Sequence, residues 1–158
     1  MPHPISATYL DVQLARVSAA LPAAGAWDAT PIEMVCPGFD EVTLSFTYTR
    51  GGQGNGAFDF QIETSPYSVV GNVPAGASEW VTEALVAAGA VVAGADTQSR
   101  TQREYTTYAS QGADAEDFSY GPMKIGATIE RMRVRARESG ETGNPGTLQI
   151  QAYYSSKE

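Results

Sequence analysis

Apolar and polar side chains alternate along several stretches of this chain, and a period of two is that of a strand with one buried face. Val42, Leu44, Phe46 and Tyr48 fall on one side, against Thr43, Ser45, Thr47 and Thr49 on the other. After a glycine-rich loop, Phe58, Phe60 and Ile62 alternate with Asp59, Gln61 and Glu63. Further on, Met132, Val134 and Ala136 alternate with Arg131, Arg133, Arg135 and Arg137, and Leu148, Ile150 and Ala152 alternate with Gln149, Gln151 and Tyr153. The pattern predicts two hairpins built alike: a strand, a loop carrying Gly-Asn, and a return strand. Both loops, 51–56 and 139–146, contain several glycines, which reach positive φ at little cost and so suit protruding hairpin tips. Such tips are either solvated and flexible or make contact with a partner, and in the second case Gly52, Asn55 and Asn144 are the contact candidates.

Shorter strands are expected at 8–14, 32–36, 79–82, 85–92, 101–108 and 122–129. The stretch 84–95 is the ambiguous one, because its alanines favour a short helix while its valines and glycines do not. Many strands separated by turn residues, without a convincing amphipathic helix, indicate an all-β fold: an antiparallel β-sandwich or a jelly roll. The run Ser18-Ala19-Ala20-Leu21-Pro22-Ala23-Ala24-Gly25-Ala26 reads as a linker, so residues 1–26 are expected to form an N-terminal arm and 27–158 the sandwich.

At 158 residues the chain fits one domain, long enough to bury a core without disulfide support. Its single cysteine, Cys36, rules out an intramolecular disulfide and a cysteine-based zinc site, and is expected to be buried. The one histidine, His3, lies near the N-terminus, so neither a Ser-His-Asp triad nor a two-histidine zinc site can be assembled from ordered imidazoles. No pair of carboxylates is marked out by its context for glycoside hydrolysis, and the chain is read as non-enzymatic, with no cofactor and no metal. A net charge of −8 disfavours direct nucleic-acid binding, which draws on Lys and Arg. No charged segment followed by an apolar core opens the chain, and no apolar run is long enough to span a bilayer.

Four of the ten basic residues, Arg131, Arg133, Arg135 and Arg137, share one face of one strand. Such a ladder either docks carboxylates or phosphates of a partner or is answered by Asp59 and Glu63 on a neighbouring strand. The acidic run Asp114-Ala115-Glu116-Asp117 is expected to be a solvated loop, since it lacks the ligand spacing of an EF-hand. Trp27, Trp80, Tyr105, Tyr108, Tyr120, Tyr153 and Tyr154 either pack in the sandwich or line a surface for glycans, Trp80 being the foremost candidate there.

The runs Tyr120-Gly121-Pro122-Met123-Lys124-Ile125, Ile129-Glu130-Arg131-Met132-Arg133-Val134-Arg135-Ala136-Arg137-Glu138 and Pro145-Gly146-Thr147-Leu148-Gln149-Ile150 resemble the C-terminal half of small virion proteins of tailed bacteriophages. The resemblance implies a structural β-sandwich of the head or tail, such as a capsid decoration protein. It would assemble in the host cytoplasm onto the exterior of the particle. The partners it implies are the major capsid protein or another virion protein and further copies of this chain, with the N-terminal arm reaching a neighbouring subunit. No catalytic residue is carried over. The expectation from another class is a carbohydrate-binding or adhesin-like module.

Overall fold

The computed structural model describes residues 8–36, 38–52, 56–68, 73–83, 106–109, 115–126 and 128–157. Nine strands are defined among them: β1 (Thr8–Ala20), β2 (Met34–Val35), β3 (Glu41–Thr49), β4 (Ala57–Ser65), β5 (Val81–Glu83), β6 (Thr106–Ala109), β7 (Ala115–Lys124), β8 (Arg131–Glu138) and β9 (Thr147–Lys157). They form two antiparallel sheets, one in the order β1-β9-β3-β7 and the other in the order β2-β8-β4-β5, with β6 also along β4. The sheets pack face to face as an all-β sandwich.

The alternating rows meet in the core between the sheets. Val42, Leu44, Phe46 and Tyr48 of β3 and Leu148, Ile150, Ala152 and Tyr154 of β9 face Phe58, Phe60 and Ile62 of β4 and Met132, Val134 and Ala136 of β8, all buried. Aromatic rings carry much of this contact. Phe46 lies between Phe58 and Phe60, with ring centroids at 5.3 and 4.6 Å, and Tyr48 sits 5.3 Å from Phe58. Phe118 and Tyr120 of β7 close the seam edge-on against Phe58 and Phe60. These tilted and edge-to-face geometries suit the ring quadrupoles.

The two predicted hairpins are not hairpins. β3 and β4 belong to different sheets, as do β8 and β9, and the hydrogen-bonded partners are β3 with β9 and β4 with β8. Physically, a flat hairpin of β3 and β4 would set Phe46, Tyr48, Phe58 and Phe60 side by side on one uncovered face. An arch places the same rows opposite each other, each covering the other. The loops 50–56 and 139–146 are long enough to cross the ~10 Å between packed sheets.

Other boundaries also moved. The strand expected at 8–14 is present and runs on to Ala20, into the run expected as a linker, as an edge strand whose register with β9 goes from Thr8↔Lys157 to Ala20↔Thr147 with shifts around Arg16. Only a short 3-10 turn, Ala23–Gly25, follows it. The strand expected at 122–129 lies upstream, at Ala115–Lys124, because Phe118 and Tyr120 supply the inward row. Glu116 and Asp117, expected in a solvated loop, therefore pair within β7 against Tyr48 and Thr47 of β3. Asp114, most of the expected strand 101–108 and the ambiguous stretch 84–95 lie outside the described residues.

Candidate functional site

The arginine ladder occupies the outer face of β8, because Met132, Val134 and Ala136 take the inner one. Its neighbour β4 sets Asp59 opposite Arg137 and Glu63 opposite Arg133. Arg137 Nε donates to Asp59 Oδ2 at 2.8 Å, and Arg135 Nε donates to Glu63 Oε2 at 3.0 Å. Arg133 Nε donates to the same Glu63 oxygen. Arg131 has a wider set of partners: Glu33 at 2.7 Å, Glu79 at 2.6 Å and the carbonyl of Tyr67 at 2.6 Å. Its side chain is 5 % exposed, so these three acceptors replace most of its water.

Indole rings close the layer. Arg133 and Arg131 stack over Trp80 at 4.1 and 4.8 Å from the ring centre, and Arg137 over Trp27 at 4.4 Å. Four guanidiniums thus meet Asp59, Glu63, Glu33 and Glu79, with cation–π contacts above them. The charges balance within the chain, and the face presents a closed polar layer. Arg131 also ties the segments around Glu33 and Glu79 to β8, so the ladder acts as a clamp for two connections.

The glycine-rich loops meet each other at one end of the sandwich. A Cβ on Gly51 would collide with the backbone of Asn144 and Pro145, and one on Gly146 with the Tyr48 ring. Gly52 packs against the Glu141 carboxylate, which also accepts from Asn144 Nδ2 at 3.0 Å. These contacts nest the described parts of the two crossovers against each other. Asn55 lies outside the described residues.

Beneath the loops lies a residue that the alternation marks but the hairpin reading passed over. Glu138 continues the inward row of Met132, Val134 and Ala136 and is 1 % exposed. Its carboxylate accepts from Tyr48 Oη at 2.7 Å and from the backbone N–H groups of Gly146 at 2.8 Å, Ala57 at 3.1 Å and Gly140 at 3.4 Å. One carboxylate therefore joins β3, the start of β4 and the whole β8–β9 crossover. Burial, and then the hydrogen bond to Glu138, push the Tyr48 phenol well above its ordinary pKa.

A largely buried ion pair was also missed. Arg16, at the β1 irregularity, forks onto Asp28 at 3.0 and 3.2 Å and donates to the carbonyls of Ala19 at 2.8 Å and Ala20 at 2.9 Å. Asp28 Oδ2 in turn accepts from the Ala136 N–H at 3.0 Å, linking the edge of one sheet to the other. Nothing in the local sequence separates this pair from any surface Arg and Asp.

Cys36 is buried beside Tyr154, and burial pushes its thiol up to about 11. Of the aromatic candidates for a glycan surface, Tyr154 is buried, Tyr120 packs on Phe60, and both indoles lie under guanidiniums. Tyr153 is exposed, while the side chain of Tyr108 and the whole of Tyr105 lie outside the description. No described helix is long and apolar enough to cross a membrane. Compared with protein-family models, with curated proteins and with solved structures, the chain matches none.

Proposed function

We propose that this chain is a non-enzymatic structural protein of a tailed-bacteriophage particle, a decoration protein that stabilises the head from outside. The observation that carries the reading is the strand order. The pairs β1:β9, β2:β8, β3:β7 and β4:β5 are those of one long antiparallel ribbon, and its coiling brings β9 beside β3 and β8 beside β4. We take this winding for a jelly roll, an architecture used by viral capsid and lectin domains. A fold alone assigns no function, so the resemblance in 120–125, 129–138 and 145–150 selects the capsid side of that pair. A body whose ladder charges are balanced internally suits a part that must hold its shape on a lattice. Many modest contacts then add through multivalency, and binding to the assembled shell stabilises it.

The partners are the major capsid protein and further copies of this chain. Immunogold labelling of intact particles from the source tests the location: gold over the head exterior supports the reading, gold confined to the tail makes the chain a tail component, and unlabelled particles contradict it. The glycan-binding reading draws on the same architecture. Its strongest described support is the exposed ring of Tyr153, and a selective glycan-array signal lost in Tyr153→Ala would favour it.

A further inference from the structure

The outer face of sheet β1-β9-β3-β7 is nearly free of charge over its described residues. Its middle is neutral and hydrogen-bonding, with Gln151 and Gln149 on β9 beside Ser45 and Thr47 on β3. Its β1 side is apolar: Val12 lies opposite Tyr153, and Leu14 opposite Gln151. The Tyr153 hydroxyl donates to Gln151 Oε1 at 3.0 Å, which leans the ring along β9 toward the Leu14 row. Val12, Leu14 and Tyr153 are 52, 39 and 42 % exposed and form one patch. Ionic side chains stand only at the margins, Asp117 on β7 and Glu41 opposite Lys124 at one end.

So bare a face is unusual in a chain with 18 acidic and 10 basic residues. The centre of a protein interface is depleted in charge and enriched in tyrosine, with polar groups around it. The outer face of the other sheet is unlike this, because its arginines and carboxylates are already matched and would have to be desolvated by a partner.

We infer that the outer face of β1-β9-β3-β7 stacks on the same face of a second copy, about a two-fold axis that crosses the strands between the Val12 row and the Leu14 row. That axis lays Val12 and Tyr153 of one copy over Leu14 and Gln151 of the other. Hydroxyl and amide side chains both donate and accept, so the neutral rows can face their like across an isologous contact. Charge argues for the same occupant. Copies carrying −8 each repel unless they meet where charge is low. The axis also directs Asp117 of one copy toward Lys124 of the other, since the two are equally spaced about Leu44, where the axis crosses β3. Size is adequate: four strands, and nine residues of β3, make a face of roughly 20 Å by 30 Å. That is about 600 Å² per partner, at the lower bound of a standard interface, and it describes a dissociable pair.

This contact is a property of the free chain and is tested without particles, so its failure leaves the particle reading standing. Sedimentation equilibrium of the full chain from micromolar to millimolar concentration should approach twice the 16.7 kDa chain mass. In Val12→Lys/Tyr153→Lys, which alters exposed side chains only, association should weaken about a hundredfold or more, as unpaired charges enter the contact. Val35→Lys, an exposed position on the other sheet, should associate like the wild type. A double variant that associates unchanged, or a Val35→Lys chain that dissociates equally, overturns the proposal. A wild type that stays monomeric throughout overturns it as well, and a glycan-array signal lost in Tyr153→Ala would then give the face to a sugar. If the double variant does not fold, charge exchange decides: Lys124→Asp should weaken association and Asp117→Lys/Lys124→Asp should restore it, whereas a Lys124→Asp chain that associates unchanged overturns the proposal.

Discussion

Glu138 shows what one side chain contributes in this fold. Its carboxylate accepts from four donors on three segments, and no apolar residue could satisfy the N–H groups that point at it. Glu138→Gln keeps the size but replaces an accepting oxygen by a donating NH₂, which confronts N–H with N–H. We expect a loss of about 3 kcal/mol in urea unfolding, from unmade buried hydrogen bonds. Tyr48→Phe should cost about 1 to 2 kcal/mol, and the two effects should not add, because they share one bond. Cys36 gives a pH signature. Its thiol is raised from 9.0 to about 11 in the folded chain, so the unfolded chain gives up its proton first as pH rises. Its contribution to stability is full below pH 9 and is lost between about 9 and 11. Urea midpoints should fall over that interval, and fall less in Cys36→Ala. Glu138 was legible in principle as a charge on an inward row; Arg16 and Asp28 were not, since their pairing depends on a register irregularity in β1 that no local pattern encodes.

At the scale of elements, the ladder is a stabilising device of β8 and β4. Glu63 is buried and accepts from both Arg133 and Arg135, so Arg133→Gln/Arg135→Gln strands a carboxylate. The double variant should lose about 3 to 5 kcal/mol in denaturant unfolding, and adding Glu63→Gln should recover a large part of it. An undiminished stability would mean that the arginines serve a partner. Arg131 is different, for its partners Glu33 and Glu79 are 40 % and 44 % exposed, and each pair is screened by water. The alternation identified strands β3, β4, β8 and β9 and their inward faces correctly. It misassigned their pairing, because period two specifies which face is buried and says nothing about which strand lies alongside. Loop composition misled for a related reason: glycine permits a hairpin tip, and it equally permits the close approach of Gly51 to the 144–145 backbone. Gly51→Ala should therefore lower the thermal midpoint by several degrees, where a free tip would tolerate the change.

The whole molecule has two unlike sides. Sheet β2-β8-β4-β5 presents a polar layer whose arginines are matched and stacked, while the outer face of β1 and β9 exposes Val12, Leu14 and Tyr153. A molecule of this kind resists unfolding through buried networks that join separate strands and crossovers. The all-β class was readable from alternation alone; strand order was not, because the paired rows lie more than ninety residues apart in the chain, such as β3 with β9. The particle reading is tested most directly by quantitative peptide mass spectrometry of purified particles from the source, counting this chain against the major capsid protein. Copy numbers comparable to that protein are the expected result, and the complete absence of the chain from the particles would contradict it.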